Sequence, residues 1–102
     1  MSLSHWKPIN FSAINAICLT RMRSLMPLWL PTGHSRGNEW CALNPTRADR
    51  NIGSFCINMT TGHWADFATN DKGGDPISLY AYLKGLRQSE AAKELAKFWG
   101  MH

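Results

Sequence analysis

Cysteines and histidines are the first residues in this 102-residue sequence to assess for chemistry. Cys41 and Cys56 could bind zinc together with His34 and His63, but small zinc sites usually draw ligands in pairs about two to four residues apart. The sequence has no such pair. Its three cysteines, which include no Cys-x-x-Cys motif, also argue against a disulfide framework. The sequence therefore predicts no metal site and no cofactor, and favours Cys41 and Cys56 as small buried apolar residues.

A catalytic role is not indicated by these residues either. A cysteine nucleophile needs a base such as a histidine, and no cysteine lies in a recognisable elbow or helix N-terminus that would activate its thiol. The aspartates that could hold metal ions are spread over two loops: Asp49, Asp66, Asp71 and Asp75. We expect no catalytic residue and a chain that is not an enzyme on its own. A cysteine-based enzyme or a metalloprotein is kept as an alternative to the binding functions considered below.

Basic side chains and aromatic rings are the strongest candidates for a binding site. Eleven Lys+Arg against seven Asp+Glu give a net charge of +4, which mildly favours an anionic partner such as nucleic acid. Arginine forks bind phosphates, and exposed rings stack on unpaired bases. The candidate nucleic-acid-binding residues are Arg36, Arg47, Arg50, Lys72, Trp40 and Trp64. An alternative, solvated loops and core tryptophans, fits these residue types equally well.

The Lys-Gly-Gly-Asp segment at residues 72–75 could cradle a phosphate, because its backbone N–H groups precede a predicted helix. It lacks the Gly-x4-Gly-Lys-Ser/Thr pattern of nucleotide-binding loops. A tight turn from strand to helix is the favoured interpretation.

Apolar periodicity and turn residues predict the elements that position these side chains. Residues 11–25 repeat apolar positions at steps of three and four, which predicts a helix capped by Asn10 or Ser12, and Pro27 and Pro31 end or kink it. Residues 32–37 have the composition of a connecting loop. Alternating segments predict a three-stranded antiparallel sheet from residues 39–43, 54–59 and 63–67. Two C-terminal helices follow, residues 76–84 between Asp75 and Gly85, and residues 90–99 after Ser89.

The predicted fold class is therefore α+β, with a small three-stranded antiparallel sheet, an N-terminal helix and two C-terminal helices. Residues 1–37 supply the helix and loop and residues 38–102 the remainder, as one compact domain. The longest apolar stretch, residues 25–31, is too short to span about 30 Å of hydrocarbon. No secretory signal is visible, so we expect a cytoplasmic protein without a membrane partner.

Four short motifs follow one another along residues 44–75 of this chain. Asn-Pro-Thr-Arg stands at 44–47, Gly-Ser-Phe at 53–55, and Thr-Gly-His-Trp-Ala-Asp-Phe-Ala-Thr leads towards Gly-Gly-Asp at 73–75. Their order and spacing resemble the N-terminal zinc-binding domain of bacterial and phage DNA primases. In that family Cys-Pro-x-His ends the first strand, and Cys-x-x-Cys precedes the Gly-Gly-Asp. The version found in some phage and plasmid primase-helicases is the most similar.

The zinc-ligand positions of that family hold other residues in this sequence: Asn44, Arg47, Phe67 and Asn70. The resemblance therefore implies a zinc-ribbon-like domain without metal, in which packing replaces the ion. It implies a noncatalytic domain that binds the single-stranded DNA template for a primase or replicative helicase of a phage, plasmid or integrated element. The four basic candidates would hold phosphates, and Trp40 or Trp64 would stack on bases.

The primase resemblance also implies protein partners: a primase catalytic domain, a helicase or a polymerase. No acidic catalytic constellation follows Trp99, so the chain is not expected to be a primase by itself, although it could be part of a primase-helicase. The alternative function is docking to another replication protein through the N-terminal helix and the Pro-Leu-Trp-Leu-Pro segment. Exposure of Leu28, Trp29 and Leu30 would favour docking, and their burial would weaken it.

Overall fold

The structure, a computed structural model, describes residues 9–101. It confirms the α+β class. The helices are α1 (Phe11–Thr20), α2 (Met22–Trp29), α3 (Pro76–Lys84) and α4 (Gln88–Phe98). The strands are β1 (His34–Arg36), β2 (Glu39–Ala42), β3 (Phe55–Asn58), β4 (Trp64–Asp66) and β5 (Asp71–Gly73).

The sheet has five antiparallel strands in chain order, not the predicted three. The three predicted strands form its centre, and β1 and β5 extend it at both edges. Residues 34–36 were expected in a loop, but they pair with β2. Both edge strands have three residues, mostly exposed, with the polar and glycine composition of turns. Such short strands carry no alternating apolar pattern, so pairing with a neighbour decides their conformation.

The two faces of the sheet differ in what covers them. Strand alternation directs Phe55, Ile57 and Trp64 to one side, which we call the inner face, and these residues share one core with buried residues of all four helices. The opposite side is the outer face. Its strand residues are His34, Arg36, Glu39, Cys41, Cys56, Asn58, Ala65 and Lys72. The inner face therefore packs against the helices to form the core, and the outer face carries mostly polar side chains.

The N-terminal helical region consists of two helices instead of the one predicted over residues 11–25. Asn10 caps α1 as expected, accepting the backbone N–H of Ala13 at 2.9 Å. Arg21 leaves helical geometry, with φ −119° and ψ 12°, and separates α1 from α2. Pro27 does not end the run, because α2 continues to Trp29. No described helix is long and apolar enough to cross a membrane.

Helix α3 has the predicted bounds because its ends carry strong local signals. The Asp75 carboxylate accepts the backbone N–H of Ser78 at 2.8 Å, and Gly85 closes the helix in the left-handed region at φ 67°. In α4 the expected cap Ser89 lies inside the helix. The N-cap of α4 is Arg87, whose backbone N–H donates to the Glu90 carboxylate at 2.9 Å.

Replacing Asp75 by alanine is expected to lower the free energy of unfolding by about 1 kcal/mol, because the cap of α3 loses its acceptor. Ser89→Ala is the matched control, since Ser89 makes no capping bond and its loss should change stability by less than about 0.5 kcal/mol. Urea unfolding of both variants measures the difference. Equal effects would contradict the assigned caps.

Candidate nucleic-acid interface on the outer sheet face

Arg36 and Lys72 stand on the outer face at opposite edges of the sheet. Arg36 is on β1 and Lys72 on β5, and both are exposed. Four strand spacings of about 4.8 Å separate these edge strands, so the face between them is about 19 Å wide. In duplex DNA the phosphates of one strand repeat about every 3.4 Å along the axis. The two cations therefore bracket a surface broad enough for several nucleotides.

Two further exposed side chains lie outside the strands. Arg50 lies in the loop between β2 and β3 and makes no ion pair within residues 9–101. Phe67 follows β4 and is 75% exposed. Its backbone N–H still pairs with Ser54 of β3, so alternation after the buried Asp66 directs the ring to the outer side. Phe67 was not among the predicted stacking residues, although it is the last residue of the predicted aromatic strand at 63–67.

The two candidate tryptophans belong to the inner face. Trp64 is 5% exposed, and its indole N–H donates to Ser78 Oγ of α3 at 3.0 Å. Trp40 is half-buried, and its indole N–H donates to the carbonyl of Leu30 at 3.1 Å. For Trp64 the alternative of a core tryptophan is the correct one, because a buried ring offers no face to a base.

Arg47 is engaged within the protein. Its Nε lies 2.9 Å from Asp66 Oδ2, and its Nη2 donates to Ser54 Oγ at 3.1 Å. Asp49 lies 3.4 Å from the same guanidinium. The loop between β2 and β3 is thereby attached to β4. Arg47 thus positions the loop that carries Arg50, and its guanidinium is not free in the way a phosphate-binding candidate requires.

Asp66 is fully buried and is the centre of a polar network. Besides Arg47, it accepts the side-chain amide of Asn44 at 2.8 Å and the backbone N–H of Ala68 at 2.9 Å. Burial alone would raise the pKa of this carboxyl, but hydrogen bonds from Arg47, Asn44 and Ala68 outweigh it and hold the pKa well below its usual range. Asp66 is therefore ionised at neutral pH.

The network continues into α3 and β5. Asn44 donates to the Tyr82 hydroxyl at 2.8 Å, and Tyr82 donates to Asp71 at 2.7 Å. We call Asn44, Arg47, Asp66, Asp71 and Tyr82 the Asp66 network. Among the described residues every buried side-chain polar atom has a hydrogen-bond partner. The network therefore joins one loop, two strands and one helix at a single corner of the fold.

Cys41 and Cys56 form a disulfide, which corrects the expectation of unlinked apolar cysteines. They lie directly opposite each other on β2 and β3, with Cα atoms 4.2 Å apart. Strand register creates this pairing, and a spacing of 15 residues gives no sign of it. The Glu39 carboxylate lies within 4.8 Å of both sulfurs. Among the described residues, Glu39, Cys41 and Cys56 are the group of potential metal ligands whose ligand atoms lie this close together. The bonded sulfurs offer no thiolate to a metal ion.

The turn before α3 does not offer a free set of backbone donors. The N–H of Asp75 donates to Ser78 Oγ at 3.3 Å and the N–H of Ser78 to Asp75 Oδ1 at 2.8 Å. These groups form the helix cap. The structure thus supports the strand-to-helix turn over the phosphate cradle.

An apolar groove of about 420 Å³ lies on the helical side, lined by residues of α2, α3 and α4. Leu28 and Phe98 on its rim are 70% and 64% exposed. Tyr80 in its wall donates to Glu94 at 2.8 Å, and burial together with that carboxylate raises the pKa of Tyr80 to about 12. Leu30 is buried and Trp29 half-buried, so Leu28 is the one exposed residue of the three whose exposure would favour docking.

Comparisons with protein-family models, with curated proteins and with solved structures find no match to this chain. The fold and site nevertheless define its class. It is an α+β protein in which a five-stranded antiparallel sheet carries helices on one face and basic side chains on the other.

Proposed function

We propose that this chain is a noncatalytic domain that binds single-stranded DNA across its outer sheet face. The observation that carries the proposal is the position of Arg36 and Lys72 at the two edges of that face, with Phe67 exposed on the same side. Cationic side chains bind the phosphates of a single strand, and an exposed aromatic ring stacks on its unpaired bases. Arg36, Lys72 and Phe67 together provide both kinds of contact. Arg50, an exposed cation of the loop between β2 and β3, is included as a third phosphate contact.

The charge balance of the surface supports an anionic ligand. Acidic side chains of the chain are largely occupied: Asp66 and Asp49 face Arg47, Asp75 caps α3, and Asp71 accepts from Tyr82. Glu39 is the acidic residue on the outer face. Arg36 and Lys72 therefore outweigh it, and an approaching polyanion meets net positive charge.

The Asp66 network supports the primase context of the proposal. Asn44 and Arg47 hold the positions of the first ligand pair in the zinc-bearing family that the sequence resembles. Asp66 begins the turn that carries the second pair of positions, Phe67 and Asn70. Hydrogen bonds and an ion pair thus join the two segments that the ion joins in that family. This correspondence supports the proposal that the chain serves a primase or replicative helicase system of a mobile element.

The test is a fluorescence anisotropy titration of labelled oligo-dT at several salt concentrations. If Arg36, Arg50 and Lys72 each contact one phosphate, a plot of the log of the association constant against the log of the salt concentration should have a slope of about −2. The double variant Arg36→Ala/Lys72→Ala should reduce the slope by about 1.4 and weaken binding at low salt. Phe67→Ala should weaken binding about fivefold or more, at similar slope.

Lys93→Ala/Lys97→Ala is the matched control, because it removes two exposed lysines of α4. It should leave affinity and slope close to those of the parent protein. Parental binding by the Arg36/Lys72 variant, or an equal loss in the α4 variant, would contradict the proposed surface.

The groove between α2, α3 and α4 favours a second candidate function, docking of another replication protein. Leu28 and Phe98 form its apolar rim, and Lys84 provides a cation in its lining. A short amphipathic helix with an acidic residue would match this chemistry. Phe98→Ala should weaken such a complex without altering DNA binding, which separates the two functions in one set of titrations.

A further inference from the structure

We propose that Cys41 and Cys56 form a reversible thiol–disulfide site that exchanges with low-molecular-weight thiols and disulfides such as glutathione while the domain stays folded. The site lies in the middle of the outer face, on two strands that are paired independently of the bond. It does not depend on DNA binding, so it stands or fails separately from the proposed function.

The strands hold the two sulfurs together whether or not they are bonded. Around the cysteines, Trp40 pairs with Ile57 and Ala42 with Phe55, and these neighbours face the core. A shift of register by one residue would turn them to the outer face, so the core fixes the pairing. Opening the disulfide therefore leaves two thiols side by side, and closing it remains an intramolecular reaction.

The two sulfurs differ in access. Cys41 is fully buried, whereas Cys56 is partly exposed. An external thiolate can therefore reach the Cys56 sulfur first, while Cys41 acts as the partner inside the protein. This asymmetry distinguishes an entry cysteine from a resolving cysteine.

Charged groups beside the pair bear on its reactivity. Arg36 Nη1 lies 4.0 Å from the Cys41 sulfur, and a guanidinium at that position stabilises the thiolate that leaves when the disulfide opens. The Glu39 carboxylate, within 4.8 Å of both sulfurs, acts in the opposite direction. Arg36 and Glu39 stand at opposing strand positions beside the β1–β2 turn, so their effects on the thiolate oppose each other.

The chemistry balances in two exchange steps. In closure, the Cys56 thiolate attacks glutathione disulfide, forms a mixed disulfide and releases one glutathione thiolate. The Cys41 thiolate then attacks the Cys56 sulfur, which forms the protein disulfide and releases the second glutathione thiolate. The two cysteines are oxidised, one glutathione disulfide is reduced to two glutathione molecules, and the two thiol protons pass to solvent and the released thiolates. Opening is the reverse.

Redox titration of the full chain tests this proposal. The protein is equilibrated with mixtures of reduced and oxidised glutathione, quenched with acid, alkylated and weighed by intact mass spectrometry, with circular dichroism recorded in parallel. Cys41 and Cys56 are expected to gain or lose two alkyl groups together, with an unchanged spectrum. Cys18 is the internal control, because it is fully buried and burial raises the pKa of its thiol, so it should react only after denaturation.

Two serine variants test the asymmetry of access. Cys41→Ser should trap glutathione on Cys56, and Cys56→Ser should leave the buried Cys41 with at least about tenfold less adduct. Equal adducts on the two variants would overturn the assignment of entry and resolving cysteines. A disulfide that stays closed in folded protein at every glutathione ratio, or that opens only as the spectrum collapses, would overturn the site itself. The parent titration decides this even if a variant fails to fold.

Discussion

Asp66→Ala is expected to lower the free energy of unfolding by about 3 kcal/mol, near the lower end of the range for breaking a buried ion pair. The carboxylate is fully buried, and its removal leaves Asn44 and Arg47 without their shared acceptor. The estimate is at the lower end because the Arg47 side chain is 28% exposed, so water can partly replace the lost contact. Urea unfolding at neutral pH measures the change.

The matched control is Asp71→Asn. Asp71 is also an aspartate that accepts a hydrogen bond in the Asp66 network, but it is exposed and on an edge strand. Its replacement should lower stability by less than about 1 kcal/mol. Similar losses for the two variants would show that the network does not depend on Asp66 as its centre.

The effect of Asp66 is expected to depend on pH in one direction. Because folding lowers its pKa below the ordinary value of 3.8, the unfolded chain binds the proton more tightly. Its contribution to stability is therefore fully present above that value and is lost as the pH falls towards the lower pKa of the folded state. The stability difference between the parent protein and Asp66→Ala should narrow as acid is added below about pH 4. A constant difference down to acid unfolding would contradict the assigned ionisation.

Elements with local signals were predictable from sequence. Helix α3 has both a capping carboxylate at Asp75 and a glycine in the left-handed region at Gly85, and its predicted bounds are correct. β3 directs Phe55 and Ile57 towards the core, where Met59 just after the strand is also buried, and the predicted strand at 54–59 is one residue longer at each end. In these segments neighbouring residues carry the information, so sequence alone is sufficient.

Features decided by distant partners were not predictable in the same way. Arg47 and Asp66 are 19 residues apart, and residue types alone made the arginine equivalent to Arg50 as a phosphate-binding candidate. The disulfide depends on the register of β2 with β3, which places Cys41 opposite Cys56. β1 is extended only because it pairs with β2, since its three residues have no apolar pattern of their own. The candidate site is therefore recovered in part: its basic residues were named, but the roles of Arg47 and Trp64 followed only from tertiary contacts.

Gly73→Ala is expected to be strongly destabilising, although it adds only one methyl group to the sheet. A Cβ at Gly73 would collide with the Trp64 indole nitrogen and would lie 2.5 Å from Ser78 Oγ. These two atoms are themselves hydrogen-bonded at 3.0 Å, and Ser78 is also part of the α3 cap. Relief of the clash would therefore displace a core tryptophan and loosen a helix start. Overpacking of this kind should cost about 3 kcal/mol.

Gly74→Ala is the neighbouring control. A Cβ there would meet only His63 at 3.7 Å, an ordinary contact, so its effect should be under about 1 kcal/mol, and the smaller entropy of the unfolded chain could make it stabilising. Thermal unfolding and tryptophan fluorescence of the two variants measure the contrast. The two glycines therefore differ in role. Gly73 lacks a side chain because the Trp64 indole packs directly against its Cα, whereas Gly74 is in the turn before Asp75 and has room for a side chain. Equal losses at both positions would mean that backbone freedom, not the close approach of Trp64, accounts for the requirement for glycine.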